Sequence, residues 1–127
     1  MKKDKLREIL NAKVLVNGDQ DPDTRFDAVC GSDLMSELLT MMNDSGKNPG
    51  GVLLLTNLSN PQVVRTSEMV DIKLVVFLRG KKPDPETMEI ARRCGISLMS
   101  TPFTMFRSCW LLHESGMEDL SADREPA

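Results

Sequence analysis

Three polar groups stand where a chain most readily holds an anion. Thr56, Asn57 and Asn60 form the first, Arg79, Gly80, Lys81 and Lys82 the second, and Ser100, Thr101 and Thr104 the third. Each follows a short apolar run and leads into a segment with helical signals, so each marks the start of a helix. The first N–H groups of a helix lack partners within it and carry a partial positive charge, which suits phosphate or carboxylate. Arg79, Lys81 and Lys82 add a basic cluster to a chain of formal charge −3. Helix capping and solvated loop lysines account for the same residues without a ligand. The run Gly31-Ser32-Asp33 is a weaker helix start of the same kind.

Covalent and metal chemistry find less support. The sequence holds no GxxxxGK[ST] phosphate loop, no GxGxxG after a strand, no GxSxG elbow and no HExxH. Cys109 and His113 lie four apart and would meet on a helix. Phe106 and Trp110 share their side, so that face reads as core. Asp84 and Glu86 fall in a helix first turn, where acidic groups favour the helix dipole. Cys30, Cys94 and Cys109 are odd in number and widely spaced, and His113 is the single histidine. That set makes neither a disulfide framework nor a metal site. The thiols are expected to be buried and inert in a reducing, cytoplasmic setting. No metal or cofactor is expected, and with no nucleophile–base set to assemble, the chain is not expected to be an enzyme.

Repeated punctuation identifies the elements that carry the three groups. Apolar runs at 51–56, 72–78 and 96–100 read as strands. They are followed by Asn60-Pro61, Asp84-Pro85 and Thr101-Pro102, in each of which a good N-cap residue precedes a proline suited to the first helical position. Helices are predicted near 61–70, 84–94 and 102–115. The first offers Val63, Val64, Ser67, Met69 and Val70 to the core. The second offers Met88, Ala91 and Cys94 and stops at Gly95. The third offers Phe103, Phe106, Cys109, Trp110 and His113 and stops at Gly116. Strands that are apolar throughout and alternate with helices imply a buried parallel sheet. Ligands bind such sheets beyond the carboxyl ends of the strands, where the three helix starts are expected to converge.

The first half is less regular. Lys5 to Leu10 reads as a helix, Lys13 to Asn17 as a strand, Asp19 to Asp23 as a polar turn and Arg25 to Cys30 as a half-buried strand. A helix follows from Leu34 to Asn43, with Leu34, Leu38, Met41 and Met42 on its apolar side, and then a loop to Gly50. The stretch 118–127 has no apolar periodicity and is expected to be a disordered tail.

Composition bounds the function. At 127 residues, 40% hydrophobic, the chain is long enough for one core without disulfides or metal. Asp plus Glu is 19 against 16 Lys plus Arg, which argues against a nucleic-acid partner. One Trp, no Tyr and four Phe are too few for a base-stacking platform. No run of about 18 apolar residues exists to span a membrane, and the charged start has no signal-peptide core. Nine methionines are spread through the elements, mostly as core, with Met41, Met42 or Met105 as candidates for a subunit interface.

In its order of elements the chain resembles the DRTGG domain family, which is similar to the N-terminal domain of HPr kinase/phosphorylase. The resemblance covers about residues 5–117. It rests on Val14-Leu-Val-Asn-Gly18, Val29-Cys-Gly-Ser-Asp-Leu-Met-Ser36, Gly51-Val-Leu-Leu-Leu-Thr56, Asn60-Pro-Gln-Val-Val-Arg-Thr66, Leu78-Arg-Gly-Lys-Lys-Pro-Asp84 and the close from Gly95 to Phe106. The family's glycine-rich TGG loop stands here as Leu78-Arg79-Gly80, so Arg79 is expected to change that loop's shape and charge. The kinase's catalytic domain, with its phosphate loop, has no counterpart in this chain. The resemblance implies a three-layer α/β sandwich with a mainly parallel sheet, forming a single domain over 1–117.

The resemblance further implies a non-catalytic regulatory or accessory module. It would bind a small anionic ligand, a nucleotide or phosphate, through Thr56, Asn57, Asn60, Arg79, Gly80, Lys81, Thr101 and Thr104. The alternative is a protein-interaction or oligomerisation module, a homodimer or a docking partner in a larger redox or kinase assembly. Stand-alone versions accompany the iron-hydrogenase gene sets of anaerobes, which implies a bacterial, hydrogenase-associated protein.

Overall fold

The computed structural model describes residues 1–120. In chain order they form α1 (Lys3–Ile9), β1 (Lys13–Val16), β2 (Ala28–Gly31), α2 (Met35–Ser45), a 3-10 turn (Pro49–Gly51), β3 (Val52–Thr56), α3 (Pro61–Met69), β4 (Leu74–Phe77), α4 (Pro85–Cys94), β5 (Ser97–Ser100), α5 (Met105–Glu114) and β6 (Glu118–Asp119). One six-stranded sheet runs in the order β1-β5-β4-β3-β2-β6. All neighbours are parallel except β1, which pairs antiparallel with β5.

The layers follow from that order. From β2 to β5 the chain steps one strand at a time in a single direction. Right-handed crossovers therefore put α2, α3 and α4 on one face. The link from β5 to β6 runs back across the whole sheet, so the same rule puts α5 on the other face. Two separate cores result, as the two-residue period of a strand requires. Leu54, Val75, Phe77 and Leu98 face Leu38, Val63, Val64 and Ala91 on the first side. Leu53, Leu55, Val76 and Met99 face Leu6, Leu10 and Leu112 on the second. Every residue of β3, β4 and β5 is buried, which explains the apolar runs of β3 and β4; β5 buries Leu98 and Met99 between Ser97 and Ser100.

Local signals set the helix ends. Asn60 caps α3 by accepting from the Val63 amide and Asp84 caps α4 through Thr87, as expected; α5 starts later than the Thr101-Pro102 signal implied, with Thr104 capping it through Arg107. Gly95 closes α4 with φ +70° in a two-bond motif, Gly95 N–H to Arg92 and Ile96 N–H to Ala91. A side chain there would meet the Asp19 carboxylate.

The structure corrects three expectations. The stretch from 118 is not wholly a tail: Glu118 and Asp119 pair with Ala28 and Val29, and Leu120 is buried. Two residues are too short for a periodic signal, so only the pairing reveals them; the remainder, 121–127, lies outside the described residues. In α3, Ser67 is buried as expected, but Met69 points outward at 72% exposure, and Thr66 is buried instead. In α5 the assigned face is only partly right, because Cys109 packs on the core but the larger residues do not. Phe106 and Trp110 are 83% and 55% exposed and His113 is exposed, whereas Ser108 and Leu112 are buried.

Candidate functional site

The carboxyl ends of the parallel strands gather polar residues in two places. The first joins β2, β3 and the loop after β4. Asp33, just past β2, accepts from the Thr56 hydroxyl at 3.1 Å, from the Asn57 amide at 2.6 Å and from Asn57 Nδ2 at 3.0 Å. Lys81 Nζ donates to the Asn57 carbonyl at 2.8 Å. Burial alone would raise the Asp33 pKa. The bonds from Asn57 and Thr56, with the Lys81 ammonium nearby, outweigh it and hold the carboxyl below its usual range. Asn57 Oδ1 is buried and accepts no hydrogen bond among the described residues. Beside this cluster α2 begins at Leu34 with no side-chain cap on its first turn. The Leu34 amide donates instead to Ser32 Oγ.

The second place lies between β4 and β5. These neighbours send their following helices to opposite faces, which is the crevice where α/β sheets commonly take ligands. Here main chain stitches the crevice together. Arg79 N–H donates to Phe103 O, Gly80 N–H to Thr101 O, and Ser100 Oγ to Lys81 O, all at 2.8–2.9 Å. Arg79 and Gly80 both adopt left-handed backbone, φ +58° and +70°. Arg79 thus keeps a glycine-type turn: the departure from TGG alters the loop's charge, while the backbone stays in a conformation glycine favours.

Of the residues singled out from sequence, Thr56, Asn57 and Lys81 meet in the first cluster and Arg79, Gly80 and Thr101 in the second. Asn60 and Thr104 are engaged as caps. Thr101 is fully buried, its hydroxyl donating to Leu10 O and accepting from Phe103 N–H. The helix starts do share one edge of the sheet, but α5 begins on the face opposite α3 and α4. Asp33, treated as minor in the sequence, is the centre of the first cluster. The Gly-Ser-Asp helix start was its only local signal.

The thiols are held away from reactivity. Burial pushes Cys30 up to about 11, with Asp119 and Cys109 adding to it, and burial also raises Cys94 and Cys109. Among the described residues no group of His, Cys, Asp and Glu is arranged to hold a metal ion, and no helix is long and apolar enough to cross a membrane.

No protein-family model matches the chain, and no curated protein matches it either. A solved structure does. The CBS and DRTGG domains of the regulatory region of Clostridium perfringens pyrophosphatase, crystallised with the activator diadenosine tetraphosphate, align with a TM-score of 0.68 and 16% identity. The fold is DRTGG-like. The alignment covers 91% of this chain and 47% of the other, so this chain spans about half the length of the structure it resembles. It carries the mainly parallel sheet between two helical layers that the DRTGG resemblance implies.

Proposed function

We propose that this DRTGG-like domain is a regulatory rather than catalytic module that binds a nucleotide at the carboxyl ends of its parallel strands. The observation that carries the reading is the Asp33–Thr56–Asn57–Lys81 cluster. It sets a cation, a carboxylate and a buried amide oxygen without a hydrogen-bond partner among the described residues side by side. A bare phosphate would face the Asp33 charge. A nucleotide brings phosphate to Lys81 and Arg79, and hydroxyl or amino donors to Asp33. Asn60, Gly80, Thr101 and Thr104 shape the surrounding loops. The pyrophosphatase regulatory region of similar fold was crystallised with a dinucleotide activator, which supports the same ligand class. Cysteines raised in pKa rather than lowered favour regulation over thiol catalysis. The likeness to the HPr kinase N-terminal domain and an accessory role in a bacterial redox system belong to the same proposal.

The test is a thermal-shift panel of mononucleotides, dinucleoside polyphosphates and inorganic phosphate. A nucleotide at about 100 times its Kd adds about 2.7 kcal/mol, a rise of several degrees for a domain of this size. Lys81→Ala is expected to remove most of that rise. Asp33→Asn is expected to reduce it for nucleotides and, by removing the opposing charge, to raise any shift that phosphate gives. A panel flat for every nucleotide overturns the proposal.

The second reading, an interaction or oligomerisation module, is favoured by a different observation, the exposed aromatic pair Phe106 and Trp110 on α5.

A further inference from the structure

The chain has five aromatic side chains, and it places two of them, including its single Trp, on the outside of one helix. Phe106 and Trp110 are one turn apart, so they form a continuous patch. Within α5 the residues flanking that patch are Arg107 toward the start and His113 and Glu114 toward the end, all exposed. The Arg107 guanidinium lies 4.2 Å from the Phe103 ring centroid, which settles it at the amino end of the patch. Along the length of the helix runs a mainly apolar cleft of about 370 Å³, walled by Val29, Met105, Cys109 and Met117 and rimmed toward the carboxyl end by His113, Glu118 and Asp119. The surface is therefore basic at one end, aromatic in the middle and acidic at the other.

We propose that this face of α5 is the two-fold contact between two copies of the chain, their α5 helices antiparallel. The proposal rests on the interaction-module reading and names its partner and surface. A two-fold axis presents the same patch to itself, with each residue pair repeated. Antiparallel α5 helices place Phe106 of one copy on Trp110 of the other, twice. The same arrangement brings each Arg107 toward the opposite Glu114. With Phe106 opposite Trp110, Arg107 lies opposite residue 109, five residues or about 7.5 Å along the axis from Glu114, a gap that the two extended side chains span together. A parallel arrangement would oppose like charges at both ends. The cleft beside each helix receives the rest of the opposing aromatic edge. Burying Phe106 and Trp110 in both copies removes on the order of 500 Å². That is close to half of what the smallest stable interfaces bury, so the contact is expected to be weak and to draw on the cleft walls and charged rims for the rest.

The test is sedimentation of the full chain from 1 to 300 µM, with the emission of Trp110 followed over the same range. The expected result is a reversible dimer whose Trp emission moves to the red on dilution. Phe106→Asp is expected to give a monomer with unchanged circular dichroism, since Phe106 makes little contact within its own chain. Arg107→Glu and Glu114→Arg are each expected to weaken association three- to tenfold, and the double exchange to restore it. A dimer that survives Phe106→Asp overturns this surface and leaves the interaction module standing with another face. A monomer at every concentration overturns both the surface and the self-assembly it serves.

Discussion

Asp33 shows how much one side chain can organise. It ties β2 to β3 through Thr56 and Asn57. Its pKa is depressed in the folded state, so its proton returns to the unfolded chain first as pH falls. Its contribution is therefore complete above the unfolded value of about 3.9 and is lost as pH drops through the lower folded value. Hydrogen bonds to a charged group that is largely exposed contribute about 1 kcal/mol. Urea titrations between pH 6 and pH 2.5 should show that loss, and Asp33→Asn should flatten it. Gly80 makes a second prediction at this scale. Its φ is +70° and nothing lies within 4 Å of an added Cβ, so Gly80→Ala meets only the left-handed backbone penalty. The variant should lose about 1–2 kcal/mol in urea titration. Arg79→Gly relieves the same penalty next door and should leave stability unchanged or higher by up to about 1 kcal/mol. Cys30, raised to about 11, should be the slowest of the three thiols to alkylate at pH 8. The caps Asn60 and Asp84, the C-terminal glycine of α4 and the basic loop were legible in the sequence, because each is local chemistry acting over four residues; the cap of α5 was misplaced, since Thr101 before Pro102 offers the same local signal but is buried, and Thr104 caps the helix instead. Asp33's central place was not, because its partners lie 23 and 24 positions away.

At the scale of elements, the strand–Pro–helix punctuation placed three units to within a few residues, and the differences lie at the ends. Ile72 and Leu78 are buried core residues outside β4, and they lengthened its apparent run. Asn60 and Thr104 each cap a helix through one side-chain oxygen. Asn60→Ala and Thr104→Ala should each cost about 1 kcal/mol by thermal or urea unfolding. The α5 face was misread for a physical reason. That helix has two apolar stripes. Periodicity alone cannot say which one meets the sheet, and the bulkier stripe, with Phe106 and Trp110, is the one left outside. The side chains that dock are Leu112, the small Ser108, Met105 and Cys109, which bring the helix close to β2. Strand β6 was missed because pairing along β2, not any pattern in Glu118-Asp119, makes it a strand.

Over the whole molecule, Leu120 closes the sheet's far edge, where its amide donates to Val29 O and its side chain enters the α2–α4 core. Leu120→Ala should destabilise the domain by about 2–4 kcal/mol in urea titration, because the residue is 1% exposed and part of the core. By itself the sequence determined the alternation of strands and helices, the buried parallel character of β3, β4 and β5, and the polar edge where their carboxyl ends lie. Those follow from short-range periodicity, proline and capping rules that act before any distant contact forms. The tertiary structure alone decided the antiparallel pairing of β1 with β5, the return of α5 across the opposite face, and the meeting of Asp33 with Asn57 and Lys81. It also decided that Phe106 and Trp110 remain outside. Each of these depends on contacts between residues far apart in the chain, and local pattern carries no information about which distant surfaces will bury one another.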